Sequence, residues 1–383
     1  MKSAIVVGAG IWGTSLALRL ADTGWRVTLV ERHQPGHVRQ ASAGETRLLR
    51  CAHGADEWYA RMAGQARDAW RALGERAGEE LYIEAGMAWF ARRADGWERR
   101  SADTLAKLGI PHELWEPDRA ARVFPGLSTG DLSFVLWEPR AGVLRARRSV
   151  QVSARLAVDA GVRLVSGRAR PYEGDGRPGV LVAGEVLRAD RVVWACGAWL
   201  PSVFPQVAAA AGLAVTKQDT LHFAVPPEWR TPPLPAWLDY DGSTYGHGDV
   251  DGVGMKVTSD EEGEPYEPET GDRRISPRSE ETARAYLRRR FPALEQAPLL
   301  FSQVCQYGST PDAEWIITEA AEGVWVLGGD SGHGFKHAPA LAGYVAGLLD
   351  GAYGPEPRFG LPAGGRAAGH DLRTTSRLTD PAA

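Results

Sequence analysis

The chain has 383 residues, enough for two domains of ordinary size and a substantial core. Its 44 Lys and Arg against 48 Asp and Glu leave a formal net charge of −4, which offers no basic footprint for nucleic acid or an anionic membrane. With 45 glycines and 44% hydrophobic residues, the composition is that of an α/β protein rich in turns, not of a disordered chain.

The first element is a short apolar strand over residues 4–7. Gly8, Gly10 and Gly13 follow as G-x-G-x-x-G, then a helix over 14–21 and a second apolar run, 25–30, that ends in Glu31. Gly8 allows the tight turn, Gly10 lets a pyrophosphate approach the backbone, and Gly13 permits close helix–strand packing. The helix N-terminus supplies unpaired N–H groups and the positive end of a dipole to the phosphates. Glu31, eighteen residues past Gly13, stands where a carboxylate accepts a ribose hydroxyl. Strand, turn, helix and acid together point to dinucleotide binding, without saying which dinucleotide.

Helical periodicity covers 58–74, with Tyr59, Met62, Ala66, Ala69, Trp70 and Leu73 near one face. Residues 80–92 read as strands around Gly86. A short helix over 118–123 runs into the Pro125-Gly126 break, and another is expected over 148–160. Strands follow at 162–166, 179–182 and 191–195. The last leads into the small-residue turn Ala195-Cys-Gly-Ala198, which admits either close approach of a ligand to backbone or an ordinary strand-to-helix connection. Short runs broken by Pro and Gly between 217 and 257 suit an antiparallel sheet. Residues 259–272 hold seven acids and read as a solvated loop. A helix over 279–290 stops near Pro292. An apolar strand over 324–327 meets a glycine-rich turn and leads into a helix over 337–349, with Pro339 in its first turn where a missing N–H costs least. Two such helix starts at opposite ends of the chain suggest one long ligand clasped by both. Beyond residue 350 a loosely held tail is expected.

Cys51, Cys196 and Cys305 are the only cysteines, and an odd count without close spacing argues against both a disulfide framework and a zinc site. Glycines interrupt the N-terminal apolar run where a signal peptide needs continuity, and no segment reaches the roughly 18 uninterrupted apolar residues of a membrane span. A soluble, cytoplasmic protein without a metal is expected.

Four segments in order, Gly8 to Gly13, Gly44-Glu-Thr-Arg-Leu-Leu-Arg50, Ala195-Cys-Gly-Ala-Trp199 and Cys305 to Lys336, make the chain resemble the monomeric sarcosine oxidase family of the D-amino-acid-oxidase-like flavoproteins. The resemblance covers most of residues 1–350. It implies FAD and not NAD, and a mixed α/β fold: a glutathione-reductase-like Rossmann FAD domain (1–78, 142–213 and 303–355) beside an antiparallel-sheet substrate domain (79–141 and 214–302), with a tail over 356–383. It further implies that Cys305 is bonded to the flavin 8α carbon and that oxygen is reduced at Lys256. Arg47 would stand beside the flavin ring, Arg50 and Lys336 would hold a substrate carboxylate, and Tyr245 and Tyr307 would line the pocket. His333 would lie in the loop against the isoalloxazine. The remaining cofactor contacts implied are Gly8, Gly10, Ile11, Trp12, Gly13, Glu31, Arg32, Gly44, Thr46, Cys196, Gly197, Trp199, Gly332, Gly334 and Phe335, with Lys336 shared.

Two positions depart from the family pattern. Ala43 and Asp260 stand where the sarcosine enzymes carry histidine, so the pocket is not that of a sarcosine enzyme. The activity implied is oxidation of a secondary amine or amino acid to an imine, with oxygen as acceptor and hydrogen peroxide as product. The partners are a small amine and oxygen, with no nucleic acid or membrane, and the chain is expected to be a monomer. Two other readings stand beside it: a dehydrogenase passing electrons to a partner protein, and a flavin-holding subunit of a larger oxidase. Lys256, flanked by Met255 and Val257, either serves oxygen or points to solvent.

Overall fold

The computed structural model describes residues 1–174 and 176–366. A six-stranded sheet has the spatial order Ile316–Ala321, Val324–Gly328, Arg191–Trp194, Ser3–Val7, Arg26–Glu31 and Arg163–Ser166. All neighbours are parallel except the first pair. A parallel sheet is covered on both faces, so its central strands Ser3–Val7 and Arg191–Trp194 are almost wholly apolar, while the edge strand Arg163–Ser166 is largely exposed. Ala4 and Val6 face the helices Ile11–Asp22, Ala146–Asp159 and Ala338–Asp350, while Ile5 and Val7 face a small antiparallel sheet through Val180 and Val182. The chain leaves Ser3–Val7 first toward Arg26–Glu31 and later returns on its other side as Arg191–Trp194. This is the switch point at which open α/β sheets bind ligands.

The second sheet has eight strands, in the order Leu299–Ser309, Ala214–Phe223, Met255–Ser259, Thr244–His247, Ala236–Asp239, Met87–Ala91, Phe134–Glu138 and Glu113–Trp115. It departs from the antiparallel expectation at one place: Ala236–Asp239 runs parallel to Met87–Ala91. Because those strands end side by side, Arg92 and Asp239 meet at 2.9 Å, and Asp239, fully buried, also takes Arg290 at 3.1 Å. Helix Pro277–Arg290 covers the face carrying Phe223, Met255, Val257 and Trp237.

A three-stranded sheet of Thr46–Leu49, Gly142–Arg145 and Tyr82–Ile83 joins the two large ones. The expected domain borders at 141/142 and 302/303 fall inside hydrogen-bonded structure. Gly142–Arg145 pairs on both sides, and Leu299–Ser309 pairs with Ala214–Phe223 straight across residues 302 and 303, its one register shift lying at His222/Phe223.

Two expectations are corrected. The tail is not loose over 356–366: Arg358 pairs with Asp56 and Glu314, Arg366 donates to the carbonyls of Glu314, Trp315 and Gly360, and Phe359 is fully buried. Residues 367–383 lie outside the described residues. The acidic loop is not simply solvated: Glu262 is buried, Asp272 pairs with Lys217, and Glu269 reaches Arg32. Among the described residues no helix is long and apolar enough to cross a membrane.

Candidate active site

The two glycine-rich turns face each other across a cleft at the switch point. Gly8 has φ +102° and lies so close to the Ala195 carbonyl that a Cβ there would collide with it, and a Cβ on Gly13 would overlap the Gly8 carbonyl. Helix Ile11–Asp22 begins at Gly10, which has no side chain to cap it, with no acid in its first turn; Ser42 Oγ accepts the Ile11 N–H at 3.1 Å, and the rest of the positive end faces the cleft. The opposite turn contributes Gly329, Asp330, Gly332 and Phe335 to the lining, and Trp12 Nε1 donates to the Gly334 carbonyl at 3.1 Å, fastening one turn to the other.

The lining runs from Glu31, Arg32 and His33, past Gly8, Gly10, Ile11, Trp12, Cys196, Gly197 and Trp199, to Arg47, Tyr307 and Phe335. Glu31 accepts from Ala9 N (2.7 Å), His33 N (3.0 Å) and Gln40 Nε2 (3.1 Å), and a carboxylate so engaged still has a lone pair to offer. At the rim the Arg32 guanidinium grips Glu269, whose Oε2 also takes Trp199 Nε1 at 3.2 Å, and these two donors pull the Glu269 carboxyl down to about 2. Burial pushes the Cys196 thiol up to about 12.

At the other end Arg47 donates to Thr46 O (2.8 Å) and Ala41 O (2.5 Å), and its Nη2 lies 3.3 Å from Cys305 Sγ. Burial opposes its charge, but Cys305, Tyr245, Tyr307 and Asp330 around it hold its pKa above the usual value. Gly44 and Thr46 do not reach the cleft: Gly44 lies against the Arg47 guanidinium, and Thr46 Oγ1 is 2.7 Å from His247 Nε2. His247 Nδ1 lies 2.6 Å from the Gly248 carbonyl, which can only accept, so Nε2 carries the lone pair and the Thr46 hydroxyl donates to it.

Lys256 does not point to solvent. Its strand neighbours Met255 and Val257 enter the helix-covered core, and the alternation of the strand turns Lys256 the other way. In register it lies between His222 and His247. It is 2% exposed, with Nζ 3.5 Å from Thr46 O and 5.1 Å from the centre of the Tyr245 ring. Burial, and then the charge of Arg47, bring its pKa down to about 7. Tyr245 Oη is 3.4 Å from Tyr307 Oη, and burial raises Tyr245 to about 12.

Arg50 and Lys336 come together from distant parts of the chain. Arg50 donates to Ala52 O and lies 5.2 Å from the Trp89 ring centre, while Lys336 Nζ donates to His333 O at 2.8 Å. Both are buried, and neither has an ion-pair partner among the described residues. Burial lowers both pKa values, Lys336 well below its usual range with Arg50 as the second cause. Glu138 and Asp260 oppose the shift on each. Two buried like charges with their pKa values depressed form a site that an anion would relieve.

His333, like Gly44 and Thr46, does not line the cleft. His333 belongs to the turn that lines the cleft, but its side chain points away: Nε2 is 2.9 Å from Ala313 O and the ring stacks on Trp315. Several residues lacked any local signal. Gln40 and Ser42 hold Glu31 and Ile11 N, Gln306 holds Arg39 O, and Glu138 accepts from Cys51 N and Trp89 Nε1. Only His247 had a hint, in the Tyr-Gly-His of its strand beside Tyr245.

The family model described as FAD dependent oxidoreductase matches residues 3–348. The chain is 28% identical to monomeric sarcosine oxidase of Streptomyces avermitilis over 363 residues, which span 90% of this chain and 92% of that protein. It is 23% identical to N-methyl-L-tryptophan oxidase of Salmonella heidelberg over 370 residues, 93% and 96% of the two chains. In structure it is similar to L-proline dehydrogenase from P. horikoshii, with a TM-score of 0.82 at 21% identity, over 93% of this chain and 95% of that one.

Proposed function

The chain belongs to the FAD dependent oxidoreductase family, and from that premise we propose that it oxidises the C–N bond of a secondary amine or amino acid to an imine, with oxygen as acceptor and hydrogen peroxide as product. The single observation that carries the oxidase reading is Lys256: an amine buried beside Arg47 and Cys305, with one long hydrogen bond to Thr46 O and no ion pair among the described residues, suits oxygen as it acquires negative charge. The relatives named sarcosine oxidase and N-methyl-L-tryptophan oxidase support the amine chemistry.

The acid-free helix start at Gly10, the Gly8–Ala195 approach and the free lone pair of Glu31 fit the pyrophosphate and ribose of FAD. The bound flavin would accept the equivalent of a hydride from the carbon next to nitrogen. Arg47 would then hold positive charge beside the ring, and Arg50 and Lys336 would fix a substrate carboxylate, Arg50 through its fork. Tyr245 and Tyr307 would wall the pocket as neutral phenols. We assign cofactor binding to the parallel sheet with its helices and substrate binding to the eight-stranded sheet. The enzyme is proposed to act as a cytoplasmic monomer, in keeping with three cysteines that form no disulfide. A panel of N-methyl, cyclic imino and glycated amino acids, read as hydrogen peroxide from the purified chain, tests the activity. Turnover seen only with an added electron-accepting dye would favour the dehydrogenase reading instead.

Cys305 is proposed to carry the flavin as a thioether. The protein should stay yellow after acid precipitation, and Cys305→Ser should release all colour to the supernatant. A parent that loses its colour in acid removes the bond while leaving FAD binding intact. Arg50→Met and Lys336→Met should each weaken a carboxylate inhibitor about ten- to a hundredfold, since a charge-assisted hydrogen bond contributes about 1.5–3 kcal/mol. Unchanged dissociation constants in both would move the carboxylate elsewhere.

A further inference from the structure

Three histidines meet behind the cleft, in a place that amine oxidation does not call on. His53 follows Arg50 by three residues, His333 sits in the glycine-rich turn, and His337 opens the last helix. All three are buried, and one ligand nitrogen of each lies within 4.8 Å of the other two.

Their protonation is set by backbone carbonyls. His53 Nδ1 lies 2.8 Å from Cys51 O and His333 Nε2 lies 2.9 Å from Ala313 O. A carbonyl only accepts, so those nitrogens carry the hydrogens, and His53 Nε2 and His333 Nδ1 hold lone pairs. An imidazole that ligates a metal usually has its other nitrogen tied in this way. His53 Nε2 and both nitrogens of His337 have no hydrogen-bond partner among the described residues, although the rings are fully buried. Three ligand nitrogens this close, in a cluster closed to solvent, are spaced as an ion held between them would require. Arg50 and Lys336 are the charged side chains that bear most on His53 and His337, and Glu138 and Asp260 partly offset both of those cations.

We infer that His53 Nε2, His333 Nδ1 and one nitrogen of His337 bind a divalent late transition ion, Zn2+ in the first instance. Three imidazoles with neither carboxylate nor thiolate among them suit Zn2+, Co2+, Ni2+ or Cu2+ and not Mg2+ or Ca2+. The ion would clamp together the segment after Arg50, the turn beneath the cleft and the helix start that carries Lys336. It holds these segments whether or not the substrate is an amine.

The test is elemental analysis of the flavin-loaded protein, followed by chelator treatment and titration with Zn2+ and Co2+ alone. The parent should take up about one equivalent, show the visible d–d bands of tetrahedral Co2+, and melt at a higher temperature with Zn2+ present. His53→Gln and His337→Gln should each weaken uptake about a hundredfold or more, given that even outer-shell partners of a metal site are worth ten- to a hundredfold, while flavin content stays at the parent level. If one variant fails to fold, the other and the parent titration decide. A folded parent that takes up neither ion has water between its histidines, and the inference is overturned. Variants that bind as tightly as the parent overturn it too.

Discussion

Lys256→Met should react with oxygen about a hundredfold more slowly than the parent, while its anaerobic reaction with the amine changes by less than about tenfold. The substitution keeps the length and apolar stem of a side chain that is 2% exposed and removes only the ammonium. When oxygen takes an electron, a full negative charge appears where there was none, and a fixed cation in a water-poor site counts for far more there than in bulk solvent. Hydride transfer from the amine also delivers negative charge, but to the ring, where Arg47 is the cation proposed to hold it. The depressed pKa adds a second signature. The ammonium is present below its pKa, about 7, and is lost as pH rises through it, so the parent's oxygen reaction should slow above a midpoint at or beyond that value. An anionic group bound near Arg47 can only raise the midpoint. The Met variant should be flat over the same range. Stopped-flow measurement of each half-reaction across pH separates these outcomes, and an unchanged oxygen reaction would take Lys256 out of the mechanism.

Asp239→Ala should lower stability by about 3–5 kcal/mol. Asp239 and Arg290 are both fully buried, and Asp239 accepts from Arg92 at 2.9 Å, Arg290 at 3.1 Å, Arg289 at 3.4 Å and Gly242 N at 2.7 Å. Removing it leaves Arg290 inside the protein with Asp131 as its remaining carboxylate, at 2.7 Å. The urea midpoint of the variant should fall far below that of the parent. The double change Asp239→Ala with Arg290→Met should recover part of the loss, because a buried charge left alone costs more than an apolar pair. A shift equivalent to less than about 1 kcal/mol would mean that water reaches the cluster.

The cofactor cleft was legible because its signals are local: Gly8, Gly10, Gly13 and Glu31 lie within one strand–helix–strand unit, where spacing dictates geometry. Local alternation sets Lys256 opposite Met255 and Val257, but whether that second face is buried or wet depends on Thr46 and Tyr245 packing over it, which only the fold decides. Arg50 and Lys336 were reached through resemblance alone, since nothing in the spacing of the chain brings them together. Residues 259–272 and 356–366 were misread for one reason. Their composition describes an exposed segment, but pairing is decided by what stands opposite, and only the fold sets Arg32 against Glu269 or Arg358 against Asp56 and Glu314. His333 shows the limit within a motif: its residue type suits either a contact with the cleft or a backbone contact within the turn, and only the fold shows that its ring donates to the Ala313 carbonyl.

The order of strands in the six-stranded sheet also bears on how the protein is made. Ile5 lies opposite Val192, and Val192 lies opposite Val324, so the central strand is synthesised long before its neighbours on that side. At about 5–20 residues per second, the Ser3–Val7 strand waits roughly 10–40 s for Arg191–Trp194 to leave the ribosome. During that wait Ile5 and Val7 have no sheet to cover them, and the open edge of their strand can pair with any other nascent chain. Yield in the cell should therefore depend on holdase chaperones acting on the nascent N-terminus more than on the stability of the finished protein.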